Sequence, residues 1–302
     1  MPRWAGYVMA ISGGVLWAVG GACGQQLFQA NNITAGWLVP IRLMISGVLF
    51  LLLALLSGQD IFRIWKNSWT WPRLLGYALF GVAASQYTFY GCIQHANVAF
   101  STVLCYICPI FLLLYTIVRD RRPPRLYEAT AVVLVVVGVF ACATHFDLSC
   151  LSVSPIALIL GLLCGGTAAV NTLLPLPLMN HYGLFPTLGW GMLLGGGVMS
   201  LVFRPWTGEP VVNGQLILFM AIIILGGTLV AFACYMRGIQ LVGPVAGNVL
   251  SAAEPVAAVI ISVLVLRVSF TGADFLGFLL ILLTIPLIAI GQSREKKAAP
   301  TP

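Results

Sequence analysis

Two ionisable side chains sit inside stretches of sequence that are otherwise apolar: Arg42 and Glu254. Charge at such positions is costly, so these groups face protein or water and mark sites of chemistry or of bracing. Glu254 is followed by Pro255, which has no N–H and leaves a carbonyl free beside the carboxylate. That pairing suits contact with a substrate amine, or a proton that loads and leaves. The alternative is a carboxyl that caps or braces neighbouring helices. Arg42 could hold a substrate carboxylate, pair with a carboxyl or with free carbonyls as a brace, or reach the interface on its long stem. Uncharged polar groups extend the set. Gln86 and Tyr90 are four apart and share a helix face, with Tyr87 beside them. Asn248 and Ser251 are three apart, and Thr102 and Cys105 stand 146 residues earlier with Tyr106 adjoining. Trp17, the pair Gln25-Gln26 and the lone amide Asn171 complete the candidates. Each could equally hydrogen-bond across helices with no ligand present.

Catalytic groupings are not expected. His95, His145 and His181 are scattered, and Asp60, Asp120, Asp147 and Glu209 are isolated, whereas metal-assisted chemistry clusters such groups. The expectation is no enzyme activity and no cofactor or metal, although a membrane-embedded enzyme or a channel is the alternative class. A channel would need a filter ring, and nothing in the chain reads as one. Cys105 and Cys108 form a CxxC in what reads as one apolar helix, with no second pair at zinc spacing, so they and the other cysteines are read as small packing residues.

The elements that must position these groups follow from composition. Of 302 residues 60% are hydrophobic and 8% charged, against about 25% charged in soluble domains. Ten apolar runs fit membrane-spanning helices, near 6–28, 34–57, 72–93, 97–118, 126–144, 154–178, 185–203, 214–235, 245–266 and 272–291. The first run follows Arg3 and ends near Gly20-Gly21-Ala22-Cys23, like a signal peptide, but reads as an uncleaved first helix. With both termini in the cytoplasm, twelve of the Lys and Arg residues fall on that side and two, Arg204 and Arg267, on the other. That bias follows the positive-inside rule. The net charge of +7 is thus a sign of topology and does not imply nucleic-acid binding.

The chain also repeats. At a constant offset of 146, Ile93-Gln94 matches Ile239-Gln240, Val103-Leu104 matches Val249-Leu250, Pro109 matches Pro255, and Glu128 matches Asp274. Gly36-Trp37 and Gly189-Trp190 match at a slightly different offset. The reading is an all-α integral membrane protein of ten helices in two five-helix repeats, 1–145 and 150–292, with a cytoplasmic tail at 293–302. An odd-numbered unit, repeated, enters the membrane in opposite orientations, the inverted arrangement found in many secondary transporters. Glycines at 13–14, 20–21, 24, 161, 165–166 and 195–197 are read chiefly as sites of close helix approach.

Here a family resemblance becomes specific. Arg237-Gly238-Ile239 followed by Ala252-Ala253-Glu254-Pro255-Val256, within Ala231–Leu266, resembles the signature region of EamA-type carriers of the drug/metabolite transporter superfamily. Gly91–Pro109 looks like its degenerate copy, and Leu16-Trp17 and Pro40-Ile41-Arg42 resemble the family's first- and second-helix patterns. The resemblance covers essentially the whole chain. It implies a ten-helix carrier in a bacterial inner membrane, working by alternating access and often exporting amino acids or other small metabolites. Protons or a counter-substrate are the coupling partners it brings into view, and the unit is a monomer or homodimer.

Overall fold

The computed structural model describes residues 3–31, 33–121, 123–145, 153–208, 210, 212–242, 250 and 253–298. Helices overlie the apolar runs, and there is no strand among the described residues. The first half holds α1 (Arg3–Ala30), α2 (Ala35–Leu56), α3 (Thr70–Gly76), α4 (Ala84–His95), α5 (Val98–Cys105), α6 (Cys108–Asp120) and α7 (Leu126–Thr144). The second holds α8 (Pro155–Leu173), α9 (Pro175–Tyr182), α10 (Leu184–Phe203), α11 (Gly214–Ala221), α12 (Ala231–Val242), α13 (Ala253–Leu264) and α14 (Gly272–Ala298). Two joins are wider than α-helical. Tyr77–Ala83 links α3 to α4, and Ile222–Val230 links α11 to α12, each as a π-helical segment. At the 146-residue offset these two segments coincide.

Among the described residues, five continuous stretches are long and apolar enough to cross a membrane: Trp4–Ala30, Ala35–Leu56, Pro155–Tyr182, Leu184–Phe203 and Gly214–Tyr235. Other runs are divided. The sequence reading of one helix through the CxxC needs correction: α5 ends at Cys105 and α6 starts at Cys108, with a turn at Tyr106-Ile107. Pro109 is the reason, since it has no N–H for the carbonyl of Cys105 and its ring would crowd that carbonyl. Cys105 forms no disulfide. The outer faces carry exposed Leu56, Val133, Val136, Ile159, Leu201, Val202 and Leu264, as helices bathed in lipid should.

The helices pack in antiparallel pairs drawn from opposite halves. A Cβ on Gly47 of α2 would stand 2.7 Å from the Leu193 N–H nitrogen of α10, and one on Gly196 of α10 would stand 2.9 Å from the Met44 nitrogen of α2. Gly138 of α7 likewise meets the Gly277 carbonyl of α14, Gly13 of α1 meets that of Ala231 of α12, and Thr88 of α4 meets Thr167 of α8 at 3.3 Å. Small residues permit this approach, and dispersion between the backbones rewards it. Several helix starts are satisfied by side chains. Gln25 Oε1 accepts from Val98 N at 2.8 Å, and Gln94 Oε1 accepts from Ala35 N at 2.7 Å. Asn97 and Asn213 cap α5 and α11. In the exposed loop after α2, the Lys66 ammonium and the Phe62 N–H hold the Asp60 carboxyl below its usual range.

Candidate functional site

Arg42 projects from the second turn of α2 into the interior and is 5% exposed. Its Nε donates to Thr228 Oγ1 at 3.0 Å, and Nη1 donates to Gln86 Oε1 at 2.8 Å. The guanidinium also lies 4.9 Å from the centroid of the Tyr90 ring, a cation–π distance. Gln86 and Tyr90, placed on one face by their spacing, thus close on one cation. Thr228 comes from the π-helical segment of the other half, where its hydroxyl donates to the Ile223 carbonyl at 3.0 Å. That donation turns the oxygen's lone pairs toward Arg42. Tyr90 is buried; its hydroxyl donates to the Gly20 carbonyl at 3.4 Å, and its ring packs against Phe28 and Phe89.

A second centre lies where the break between α5 and α6 meets the first turn of α13. Glu254 is half-buried in the first turn of α13, where a carboxylate also suits the helix dipole. The Tyr106 hydroxyl, at the break between α5 and α6, donates to Glu254 Oε2 at 3.3 Å. One hydrogen bond therefore joins the break before Pro109 to the helix start before Pro255, positions 146 apart in sequence. Tyr90 lies within electrostatic range of both Arg42 and Glu254, which ties the two centres together. Trp17 packs its ring at 5.2 Å from Phe232 and 5.0 Å from Tyr235, an aromatic wall between α1 and α12.

The comparisons with known proteins agree. The profile of the EamA-like transporter family matches residues 4–144 and again 155–290. The chain belongs to the EamA-like transporter family. Within it, the chain is 32% identical over 294 residues to an uncharacterized inner membrane transporter, YicL, of Salmonella typhimurium, covering 97% of this chain and 98% of that one. A crystal structure of a protein at 14% identity superimposes with a TM-score of 0.63 over 94% of this chain and 96% of that chain, a likeness of fold.

The other candidates of this EamA-like chain are dispersed. Tyr87 turns from the Arg42 cluster and stacks on Phe203 at 4.8 Å. Thr102 is fully buried on α5, and its Oγ1 has no hydrogen-bond partner among the described residues. Asn171 borders Gly81 on the π-helical segment, and its Oδ1 is buried without a partner among the described residues. Asn248 and Ser251 lie outside the described residues. Gln25 caps the start of α5. No group of three metal-ligating side chains occurs among the described residues. Sequence reasoning missed Thr228. Its signal was available: it is the lone hydroxyl in IIILGGTLV.

Proposed function

We propose that this chain is a secondary carrier that moves a small metabolite, an amino acid or a related amphipathic compound, outward across the inner membrane by alternating access. Membership of a transporter family and a relative named as an inner membrane transporter support the location and the class. The observation that carries the mechanism is the Tyr106–Glu254 bond. It links the interrupted helix of the first half, where bending costs least, to the first turn of α13 in the second. Glu254 and Arg42 are the groups proposed to sense substrate or coupling proton, with Trp17, Gln86 and Tyr90 around them and Tyr87, Thr102, Asn171, Asn248 and Ser251 as further lining.

The antiparallel packing of counterpart helices, α2 with α10 and α7 with α14, supports two inverted repeats, and the twelve-to-two split of Lys and Arg supports ten spans with both termini cytoplasmic. Two halves of opposite orientation can exchange conformations, which turns an outward-open state into an inward-open one. Counterflow in proteoliposomes with a labelled metabolite panel tests the function. Uptake of one compound class, with Glu254→Gln insensitive to an imposed pH gradient, is expected for proton coupling. Flux of no compound in a broad panel would sink the carrier reading. Full gradient-driven uptake by Glu254→Gln would remove the coupling role.

A further inference from the structure

The loop between α2 and α3 carries charged and aromatic side chains that the carrier mechanism does not use. Residues 57–73 hold Arg63, Lys66 and Arg73 against one acid, Asp60. Lys66 is paired, its ammonium 3.2 Å from the Asp60 carboxylate. Arg63 and Arg73 are exposed, and neither guanidinium has a hydrogen-bond or carboxylate partner among the described residues. Trp69 and Arg73 are four apart, at the start of α3, so they share a face. The Arg73 guanidinium lies 3.8 Å from the centroid of the Trp69 ring. That contact holds the cation by one face and leaves its N–H donors without a protein acceptor.

The loop that presents these cations is built, and it is docked on the second half. Trp65 stands between two other indoles, Trp71 at 5.4 Å and Trp190 of α10 at 4.9 Å. Trp71 Nε1 donates to the Trp65 carbonyl at 3.2 Å, and Trp190 Nε1 donates to the Ile61 carbonyl at 2.8 Å. The buried Thr70 hydroxyl donates to the Ile64 carbonyl at 2.7 Å. The outer side of the loop is apolar as well as basic. Phe62, Trp69 and Trp71 are exposed, as are Leu56 at the end of α2 and Leu75 near the end of α3. Tryptophan belongs at the level of lipid headgroups, and the planar fork of arginine suits phosphate oxygens. A soluble polyanion would fill the cations and leave the apolar side chains in water. A phospholipid serves both. A zwitterionic headgroup brings its own ammonium beside the two arginines and forfeits part of the attraction, so the fit is to an anionic one. We propose that the 57–73 loop is a docking site for an anionic phospholipid, its phosphate held by Arg73 on Trp69 and by Arg63, with its acyl chains along Leu56 and Leu75. A lipid seated there braces the loop against α10 of the other half.

The test titrates the purified full chain, in micelles of an uncharged detergent at fixed ionic strength, with phosphatidylglycerol or phosphatidylcholine and follows the thermal melt. Phosphatidylglycerol should raise Tm at a roughly twentyfold lower concentration, since each basic group beside an anionic lipid contributes roughly fivefold. Arg73→Gln should cut that preference roughly fivefold, and the double substitution Arg63→Gln, Arg73→Gln should remove most of it. Arg119→Gln, an exposed cation near the end of α6, is the control and should leave the preference intact. Equal stabilisation by the two lipids in the unaltered chain would overturn the proposal, and that comparison needs no variant that has to fold. A preference that survives the double substitution, or that falls as far with Arg119→Gln, would overturn it too. Inorganic phosphate added alone should leave Tm unchanged; protection by phosphate equal to that by the lipid would mean a site for a soluble anion and would sink the lipid reading. None of these readouts depends on transport.

Discussion

At the scale of single residues, the Arg42 cluster is a problem in orientation. Thr228 accepts from Arg42 Nε and donates to Ile223, so it couples the cation to the backbone of the opposite half. Thr228→Val keeps the shape and removes both bonds. The expected result is a rise in KM of roughly tenfold in counterflow, in line with hydrogen bonds to charged groups, with ordinary amounts of folded protein. An unchanged KM would mean that Thr228 does not hold the guanidinium in place. Gln25 makes a different prediction. It satisfies the Val98 N–H that opens α5, so Gln25→Leu strands a buried donor and should cost about 1–3 kcal/mol. A thermal melt of the purified protein measures this as a lowered Tm, with substrate preference intact.

At the scale of elements, the close pairs set the tolerances. Gly47→Val would drive a side chain into the Leu193 backbone, and overpacking of this kind costs about 1–3 kcal/mol. Gly214→Ala is the matched control, because nothing lies within 4 Å of its added carbon. The first should lower Tm and yield of folded protein, and the second should leave both unchanged or slightly improved. The sequence made much of this legible. Apolar runs located the helices, and the 146-residue offset tied Pro109 to Pro255. The four-residue spacing of Gln86 and Tyr90 put both on the face that meets Arg42. Other features were hidden for physical reasons. Periodicity cannot tell a π turn from an α turn in a run such as IIILGGTLV, because every residue there is compatible with either. The partnership of Arg42 with Thr228 joins residues 186 apart, and no local pattern encodes it. The helix break at Tyr106-Ile107 was in principle readable from Pro109, but continuous hydrophobicity across the CxxC masked it.

At the scale of the whole molecule, the proposed orientation can be checked from outside. In a background without the native cysteines, Trp206→Cys in the loop after α10 should react with an impermeant thiol reagent on intact cells. Lys66→Cys should react only after the membrane is opened. Labelling of both from one side would contradict ten spans with cytoplasmic termini. The two π-helical segments carry one further consequence. A π turn accommodates one residue more than an α turn, so each segment can lose a single residue and relax into ordinary helix. The backbone would survive such a deletion in 222–230, and everything after it would keep nearly its place around the helix axis, because a π turn absorbs its extra residue within one turn. Phe232 and Tyr235 would stay against Trp17, and Gly238 would still face Ala10. The same deletion in the plain α-helix beyond it would turn α12 by about 100° against α1, so the π segment is the one place in this helix where chain length can change without changing which side chains the two halves turn toward each other.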